Sequence, residues 1–192
     1  MNKESNPSEK KTKVKLLLDA DVLIHFFKAD QLFNLPRIFE ENEYILFDVV
    51  WGELLQTSIR YAIELLISNG SITLMDFPTS NDLIDYEFDS LRYEGRGMGE
   101  SACMAYAKYN AQDVIASSNL SDLLPYCHDY GIPYVTTLDF LCSAMKKGIY
   151  TEEECDDFIK KVNARNSNIR IEQMKDYDCN ERKILKYKKR FK

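Results

Sequence analysis

Short apolar runs alternating with stretches of helical spacing are the feature that most constrains the fold of this chain. The first run, 14–18, stops at Asp19, and beyond it the apolar side chains recur at helical spacing. A run of this length suits a buried strand, and the change of period marks the start of a helix. Further strands are expected at 44–47, 72–75, 113–116 and 134–136. Strands that alternate with helices form βαβ units, so the sequence predicts an α/β fold with a parallel sheet covered on both faces.

The segments between these strands carry helical patterns. A helix is predicted from residue 22, where Asp19 or Asp21 is available as its N-cap. Another is predicted over 31–41, with a bend or break at Pro36. Thr151, followed by Glu154, is typical of a capping box that opens a helix. The remaining helical segments are 49–66 (as one helix or two), 81–93, 101–109, 120–130 and 138–147.

Length and composition favour one domain. The chain has 192 residues, of which 45% are hydrophobic and 29% charged, which is ordinary for a globular protein with one core. We predict a disordered basic head over 1–13, the domain over 14–165, and a polar to basic tail over 166–192. No stretch approaches the roughly 20 apolar residues of a membrane span, and the polar start does not resemble a signal peptide. A cytoplasmic protein is therefore expected.

The cysteines also favour a cytoplasmic protein. Five are scattered along the chain without a Cys-x-x-Cys pair, and only two histidines are present, so a structural zinc site is not expected. Buried or free thiols in a reducing compartment are predicted instead.

The net charge of −6 argues against a protein that binds nucleic acid through a broad basic face. Basic residues are nevertheless concentrated near the end of the chain, over 182–192, where Tyr187 and Phe191 are interleaved. This segment is either an arm that contacts an RNA backbone or a solvated tail that balances an acidic body.

Three carboxylates are expected at one edge of the sheet. Asp19 ends the first strand, Glu53 follows the second strand by a helical turn or more, and Glu100 opens the helix after a glycine-rich turn. Ligand sites of parallel sheets lie at the carboxyl ends of their strands, and hard cations such as Mg²⁺ or Mn²⁺ prefer oxygen ligands. Singly, each acid also has a structural explanation, as an N-cap, a solvated helix face or a favourable charge on a helix dipole.

Four motifs in the right order resemble the PIN-like domain family. The segment LLLDADVLIHFFKAD (16–30) is similar to the family's first strand and helix, and DVVWGELLQ (48–56) to its second motif. GMGESACMAYAKY (97–109) resembles the Gly-x-Gly-Glu helix of a largely uncharacterised branch. GIPYVTTLDFLCSAMKKGIYTEEE (131–154) is similar to the closing strand and helices of that branch.

The resemblance implies a three-layer α/β/α fold with four or five parallel strands and a metal-dependent nuclease that cleaves RNA. It implies Asp19, Glu53 and Glu100 as catalytic metal ligands for Mg²⁺ or Mn²⁺, with Ser118 and Asn119 completing the metal site. Many members are toxins of toxin–antitoxin pairs and many dimerise, so the resemblance also implies an antitoxin protein and a homodimer as partners.

One departure from the family's pattern leaves an alternative open. Members usually carry a further acid just after the fourth strand, where this chain has Ser117, Ser118 and Asn119. Asp122 and Asp139 are the candidates to substitute for it. Fewer carboxylates weaken metal affinity, so the alternative is a catalytically decayed module that binds RNA or a protein partner.

The glycine-rich turn, 95–99, is no nucleotide-binding fingerprint, because no strand immediately precedes it and the glycine spacing differs. Arg92 and Arg96 beside it are candidates for binding the substrate's phosphate, or else solvated surface arginines. His25, flanked by apolar residues, is expected to be a partly buried histidine with its hydrogen bonds satisfied, not a catalytic base.

Overall fold

A five-stranded parallel sheet forms the centre of the protein in a computed structural model that describes residues 13–179. The strands are β1 (Lys15–Leu18), β2 (Glu43–Phe47), β3 (Thr73–Met75), β4 (Val114–Ala116) and β5 (Tyr134–Val135). Their spatial order is β3-β2-β1-β4-β5, and every neighbouring pair is parallel. The predicted α/β class and strand number are confirmed.

Nine α-helices connect and cover the strands within residues 13–179. They are α1 (Ala20–Lys28), α2 (Leu35–Ile38), α3 (Asp48–Glu53), α4 (Thr57–Ser68), α5 (Asp82–Tyr93), α6 (Met98–Lys108), α7 (Leu120–Tyr130), α8 (Thr137–Lys146) and α9 (Glu152–Ala164). The region predicted as one helix or two over 49–66 is two helices. The helix predicted over 31–41, with a bend or break at Pro36, is shorter and broken: a 3₁₀ turn (Leu32–Asn34) precedes a helix of only four residues with Pro36 in its first turn.

Aromatic side chains show how the sheet divides two layers of helices. Tyr44 and Phe47 are three residues apart on β2, so they point to opposite faces of the sheet. The Tyr44 ring lies 6.5 Å from Phe140 of α8. The Phe47 ring lies 5.2 Å from Tyr106 of α6. Phe26 of α1 extends the first layer by contacting Phe140 at 5.8 Å. The fold therefore has the predicted three layers.

The C-terminal part of the described chain packs on the domain, where the sequence predicts a polar tail from residue 166. Ile169 and Met174 are buried, and Cys179 is joined to Cys142 of α8 by a disulfide. The prediction of five free thiols is thus wrong for this pair, because residues 166–179 fold back against α8 and α9. Three cysteines are free and buried, as expected: Cys103, Cys127 and Cys155.

The predicted head up to residue 12 and the basic cluster over 182–192 lie outside the described residues. Of the helices that are described, none has the length and apolar character needed to cross a membrane.

Candidate functional site

Asp19 stands where the chain reverses its direction of travel across the sheet. From β1 the chain passes to β2 and β3 on one side, then returns to β4 on the other side of β1. A crevice at such a switch point, outside the carboxyl ends of the strands, is the usual ligand site of a parallel sheet. The backbone N–H of Asp19 donates to the carbonyl of Ala116 at the end of β4, over 3.0 Å. The first candidate ligand therefore lies at the expected crevice.

Both carboxylate oxygens of Asp19 are held by the protein. Oδ1 accepts from the backbone N–H of Ala20 at 2.8 Å, which makes Asp19 the N-cap of α1. Oδ2 accepts from the Ser117 hydroxyl at 2.8 Å. Burial raises the pKa of Asp19 above its ordinary value, as does the charge of Glu53, although the two hydrogen bonds oppose the rise. The cap and the candidate ligand are thus the same residue.

Asp21 shares this crevice. Its Oδ2 accepts from the backbone N–H of Ser118 at 2.7 Å, which ties α1 to the segment after β4. Its Oδ1 is buried and has no hydrogen-bond partner among the described residues. Burial raises the pKa of Asp21 to about 8, and the neighbouring Asp19 charge adds to the rise, whereas the backbone N–H groups of Ser118, Val22 and Asn119 oppose it. An unpaired buried carboxylate oxygen is costly, so this atom is a vacant acceptor in the crevice.

Glu53 reaches the site through a close packing of α3 against α6. Its Oε1 accepts from the backbone N–H of Gly99 at 3.0 Å. A Cβ on Gly99 would lie 2.6 Å from Glu53 Oε2 and 3.0 Å from Val50 Cγ2. The contact between the two helices therefore requires glycine at this position. The glycine-rich turn predicted before the helix in fact enters it, since α6 begins at Met98.

Glu100 is buried in the first turn of α6 and completes the group. The Asn119 side-chain amide lies 3.5 Å from its Oε1, a long hydrogen bond. Burial raises the pKa of Glu100 to about 7. The charges of Asp19, Asp122 and Glu53 also raise it, whereas Arg96 lowers it. The charges of acids at α1, α3 and α6 therefore interact across a single crevice.

The negative charges of these acids repel one another across the crevice. Cys103 of α6 lies beneath it, with its thiol 3.8 Å from the carbonyl of Leu18. Burial raises the pKa of this thiol well above its usual value, and all four acids add to the rise. A cation entering the crevice would relieve this repulsion. As the side chains stand, however, no three acids, histidines or cysteines within residues 13–179 are arranged to hold a metal ion.

Ser118 and Asn119, the other two residues predicted to ligate metal, differ in their placement. The Ser118 hydroxyl donates to Thr137 Oγ1 at 2.9 Å and accepts from the Thr137 backbone N–H at 3.0 Å. It is therefore used within the protein and is a poor candidate ligand. Asn119 lies at the site and turns its side-chain N–H towards Glu100, but its Oδ1 already accepts from the Ser121 hydroxyl at 2.7 Å.

Asp122 and Asp139, the two candidates to replace the missing acid, also lie in different places. The charge of Asp122 acts on Glu100, so this acid lies beside the crevice. Asp139 instead caps α8, where its carboxylate accepts from the backbone N–H and the hydroxyl of Thr136 at 2.8 and 2.9 Å. Tyr177 donates to its other oxygen at 2.9 Å. Asp139 is thus a structural residue and not a metal ligand.

The two arginines predicted to bind substrate are held by local carbonyls. The Arg92 guanidinium donates to the backbone carbonyl of Arg96. Arg96 donates to the carbonyl of Asp122 at 2.9 Å and pairs with Glu94 at 3.3 Å. Because its charge reaches Glu100, Arg96 lies at the rim of the crevice. Arg92 acts by positioning the turn that carries Arg96.

Three residues of the site are absent from the predicted set. Asp21 is the clearest, because the sequence offers it only as an alternative N-cap to Asp19. Ser117 orients Asp19, and Gly99 admits Glu53. The signal for Gly99 was present as the second glycine of a Gly-x-Gly-Glu motif, but its steric role depends on a helix 46 residues away in sequence.

His25 is buried behind the site, as expected, with Nδ1 2.9 Å from Thr137 Oγ1. Burial lowers its pKa to about 4, and the charge of Lys28 acts in the same direction.

Because the pKa of His25 is lower in the folded than in the unfolded state, folding disfavours its proton. The titration of His25 therefore does not change the free energy of unfolding above pH 6.5. As the pH falls towards about 4, it lowers that free energy by roughly 3 kcal/mol in total. We expect the His25→Gln variant to lose less stability than wild type between pH 6.5 and 4 in urea titrations. His128→Gln, at an exposed site, is the control. Parallel pH profiles for wild type and His25→Gln would contradict the assignment.

Comparison with protein-family models, with curated proteins and with solved structures finds no match for this chain. The likeness to PIN-like domains therefore rests on the sequence motifs alone.

Proposed function

We propose that this chain is a metal-dependent ribonuclease of the PIN-like type, with Asp19, Glu53 and Glu100 as the ligands of Mg²⁺ or Mn²⁺. The observation that carries the proposal is the convergence of these acids and Asp21, from three separate helices, at the switch point of a parallel sheet. Structural carboxylates are normally spread apart or paired with cations, because like charges brought close together oppose folding. Acids gathered in this way are typical of a functional site.

The donor set fits a hard divalent cation. Carboxylate and amide oxygens are the ligands that Mg²⁺ and Mn²⁺ prefer, and Asp21 Oδ1 is a buried acceptor with no partner in the described chain. Since no three acids yet stand in ligating positions, Glu53 and Glu100 would have to move towards Asp19 on binding. When bound, such an ion supplies an activated water and neutralises charge on a phosphodiester.

The chain's own residues would prepare the site for that chemistry. Ser117 and the N–H of Ala20 fix the Asp19 carboxylate, and the N–H of Gly99 fixes that of Glu53. Arg96 at the rim offers a cation to a substrate phosphate. RNA as substrate, an antitoxin as inhibitor, a homodimer and catalysis itself are all parts of the proposal. The proposed compartment is the cytoplasm, where Cys142 and Cys179 would be kept reduced.

The second candidate is a decayed PIN-like module that binds RNA or a protein without cleaving. A specific observation favours it. The segment after β4 brings no acid, and the hydroxyls of Ser117 and Ser118 are already engaged by Asp19 and Thr137. A site with one acid fewer would bind metal weakly.

Replacing Asp19 by asparagine tests the proposal, because asparagine preserves the N-cap while removing the charge. We expect Mn²⁺ affinity, measured by calorimetry, to fall by about tenfold or more and RNA cleavage by about 100-fold or more. Asp48→Asn is the matched control. Asp48 follows β2 as Asp19 follows β1, but its carboxylate accepts from the N–H groups of Val49 and Phe77.

Cleavage of RNA that survives both EDTA and Asp19→Asn would refute the metal-dependent site. RNA binding without cleavage, unaffected by EDTA and by Glu100→Gln, would favour the decayed module.

A further inference from the structure

A cavity of about 350 Å³ opens beside the acid crevice, between the carboxyl ends of β4 and β5. Ser118 and Asn119 belong to its lining and also border the crevice. Its other walls come from the start of α8 and from Asn168, Ile169, Arg170 and Tyr177, in a segment that packs against α9. Its volume is at the lower end of the range, roughly 300–1,000 Å³, that small-ligand sites occupy.

The lining of the cavity contrasts with the rest of the protein. The chain carries a net charge of −6, yet no aspartate or glutamate is among the described residues that line this cavity, whereas the exposed Arg170 is one of them. Leu138, Ile169 and the Tyr177 ring supply apolar walls, and polar groups lie on the floor. Such a lining suits a partly apolar group attached to an anionic chain, whereas the acids of the neighbouring crevice disfavour anions until a cation is bound.

A chain of hydrogen bonds on the floor fixes what the cavity offers. The Thr137 N–H donates to Ser118 Oγ, and the Ser118 hydroxyl donates to Thr137 Oγ1. The Thr137 hydroxyl then has His25 Nδ1, 2.9 Å away, as the acceptor for its own proton. A neutral imidazole that accepts at Nδ1 carries its proton on Nε2. His25 lines the cavity, and within residues 13–179 its Nε2 has no hydrogen-bond partner.

We propose that this cavity binds one nucleobase of a single-stranded RNA whose backbone passes over the acid crevice. The His25 Nε2–H would donate to a carbonyl oxygen or ring nitrogen of the base. Single-stranded RNA is recognised in this manner, through unstacked bases that lie against apolar or aromatic side chains and bond polar groups at their edges. The proposal rests on the proposed function for its choice of ligand, and it adds a residue-level source of base preference.

The shared residues explain why a base is favoured over a free metabolite. Since Asn119 lies between the two sites, a phosphate at the crevice would leave its neighbouring base next to the cavity. The volume has room for a single nucleotide unit and excludes a duplex. A paired base could not enter it.

The histidines provide a direct measurement on the wild-type chain. There are only two, His25 in the cavity and His128 exposed on α7. In EDTA, millimolar concentrations of each of the four ribonucleosides would be added while the imidazole signals are followed by NMR. We expect at least one nucleoside to shift the His25 signals and leave those of His128 in place. Inorganic phosphate alone should shift neither.

Asn168→Trp, at an exposed position on the cavity wall, should block binding, with the nucleoside affinity falling by about tenfold or more. Gln173→Trp is the matched control, because Gln173 is exposed in the same segment but lies outside the cavity. If no nucleoside shifts His25, if phosphate alone shifts it, or if both tryptophan variants bind as wild type does, the proposal is overturned.

The same experiment separates this proposal from the nuclease. Metal-dependent cleavage without nucleoside binding would reject the cavity and keep the ribonuclease. Nucleoside binding lost in Asn168→Trp, in a protein that cleaves nothing, would keep the cavity and reject the ribonuclease in favour of an RNA-binding module.

Discussion

Replacing Asp21 by asparagine is expected to stabilise the metal-free protein, by about 2–4 kcal/mol at pH 7.5. Asparagine retains an oxygen that can accept from the Ser118 N–H but brings no charge into the crevice. Two opposing effects bear on this substitution. An acid in the first turn of a helix interacts favourably with the helix dipole, which stabilises the folded state by roughly 0.3–1 kcal/mol. The burial that raises the pKa of Asp21 to about 8 is the larger effect, so the net result is a gain.

The sign of the pH dependence follows from the same shift. A carboxyl whose folded pKa is raised binds its proton more tightly in the folded state, so its contribution to stability is lost as the pH rises from about 4 to about 8. The advantage of Asp21→Asn over wild type should therefore be largest near pH 8 and vanish near pH 4. Thermal unfolding in EDTA measures it, with a rise in Tm of about 5–10 °C expected at pH 7.5.

Asp82→Asn is the matched control, since Asp82 is an exposed acid in the first turn of α5. It should lower the stability slightly. Saturating Mn²⁺ should then raise the Tm of wild type more than that of Asp21→Asn, because binding to the folded state stabilises it by mass action. A lower Tm for Asp21→Asn in EDTA would mean that Asp21 serves the fold and not a ligand.

The sheet and the acids at its edge could be predicted from the sequence because both depend on local pattern. Apolar runs set the strands, and Asp19 follows the first strand directly. Which of Asp19 and Asp21 is the N-cap could not be decided, since either residue type can cap a helix. The choice depends on Ser117 and Ser118, about 98 residues away, which bond one carboxylate each.

The errors arise where a particular contact or backbone constraint overrides the local pattern. The sequence pattern places Asp139 just after a strand, as a candidate metal ligand. In the structure, Thr136 and Asp139 form a capping box in which the carboxylate is already hydrogen-bonded. Cys142 and Cys179 are 37 residues apart and become neighbours only because residues 166–179 return to α8. The helix predicted over 31–41 is divided at Pro36 into a 3₁₀ turn and a helix of four residues. In each case a long-range contact or a single backbone constraint decides between structures that the local pattern allows equally.

Gly99 is the position where the smallest change should have the largest effect on the site. Gly99→Ala places a methyl group 2.6 Å from Glu53 Oε2 and 3.0 Å from Val50 Cγ2. The Glu53 side chain can swing away, and alanine favours a helix over glycine by about 1 kcal/mol, which offsets much of the cost of overpacking. We therefore expect a change in unfolding free energy within about 1 kcal/mol. The expelled carboxylate, however, would lose its bond to the Gly99 N–H and its approach to Asp19.

Gly99→Ala should accordingly lower Mn²⁺ affinity and RNA cleavage by about tenfold or more in a protein that still unfolds near the wild-type temperature. Gly97→Ala is the matched control, two residues earlier. Its Cβ would meet Glu53 Oε1 only at 3.8 Å, an ordinary contact, so it should leave metal affinity within about twofold of wild type. Equal metal affinity in the two variants would separate Glu53 from the metal site. Loss in Gly99→Ala alone would link the glycine of the Gly-x-Gly-Glu motif to the delivery of an acid from another helix, because the stability of the fold would be nearly unchanged.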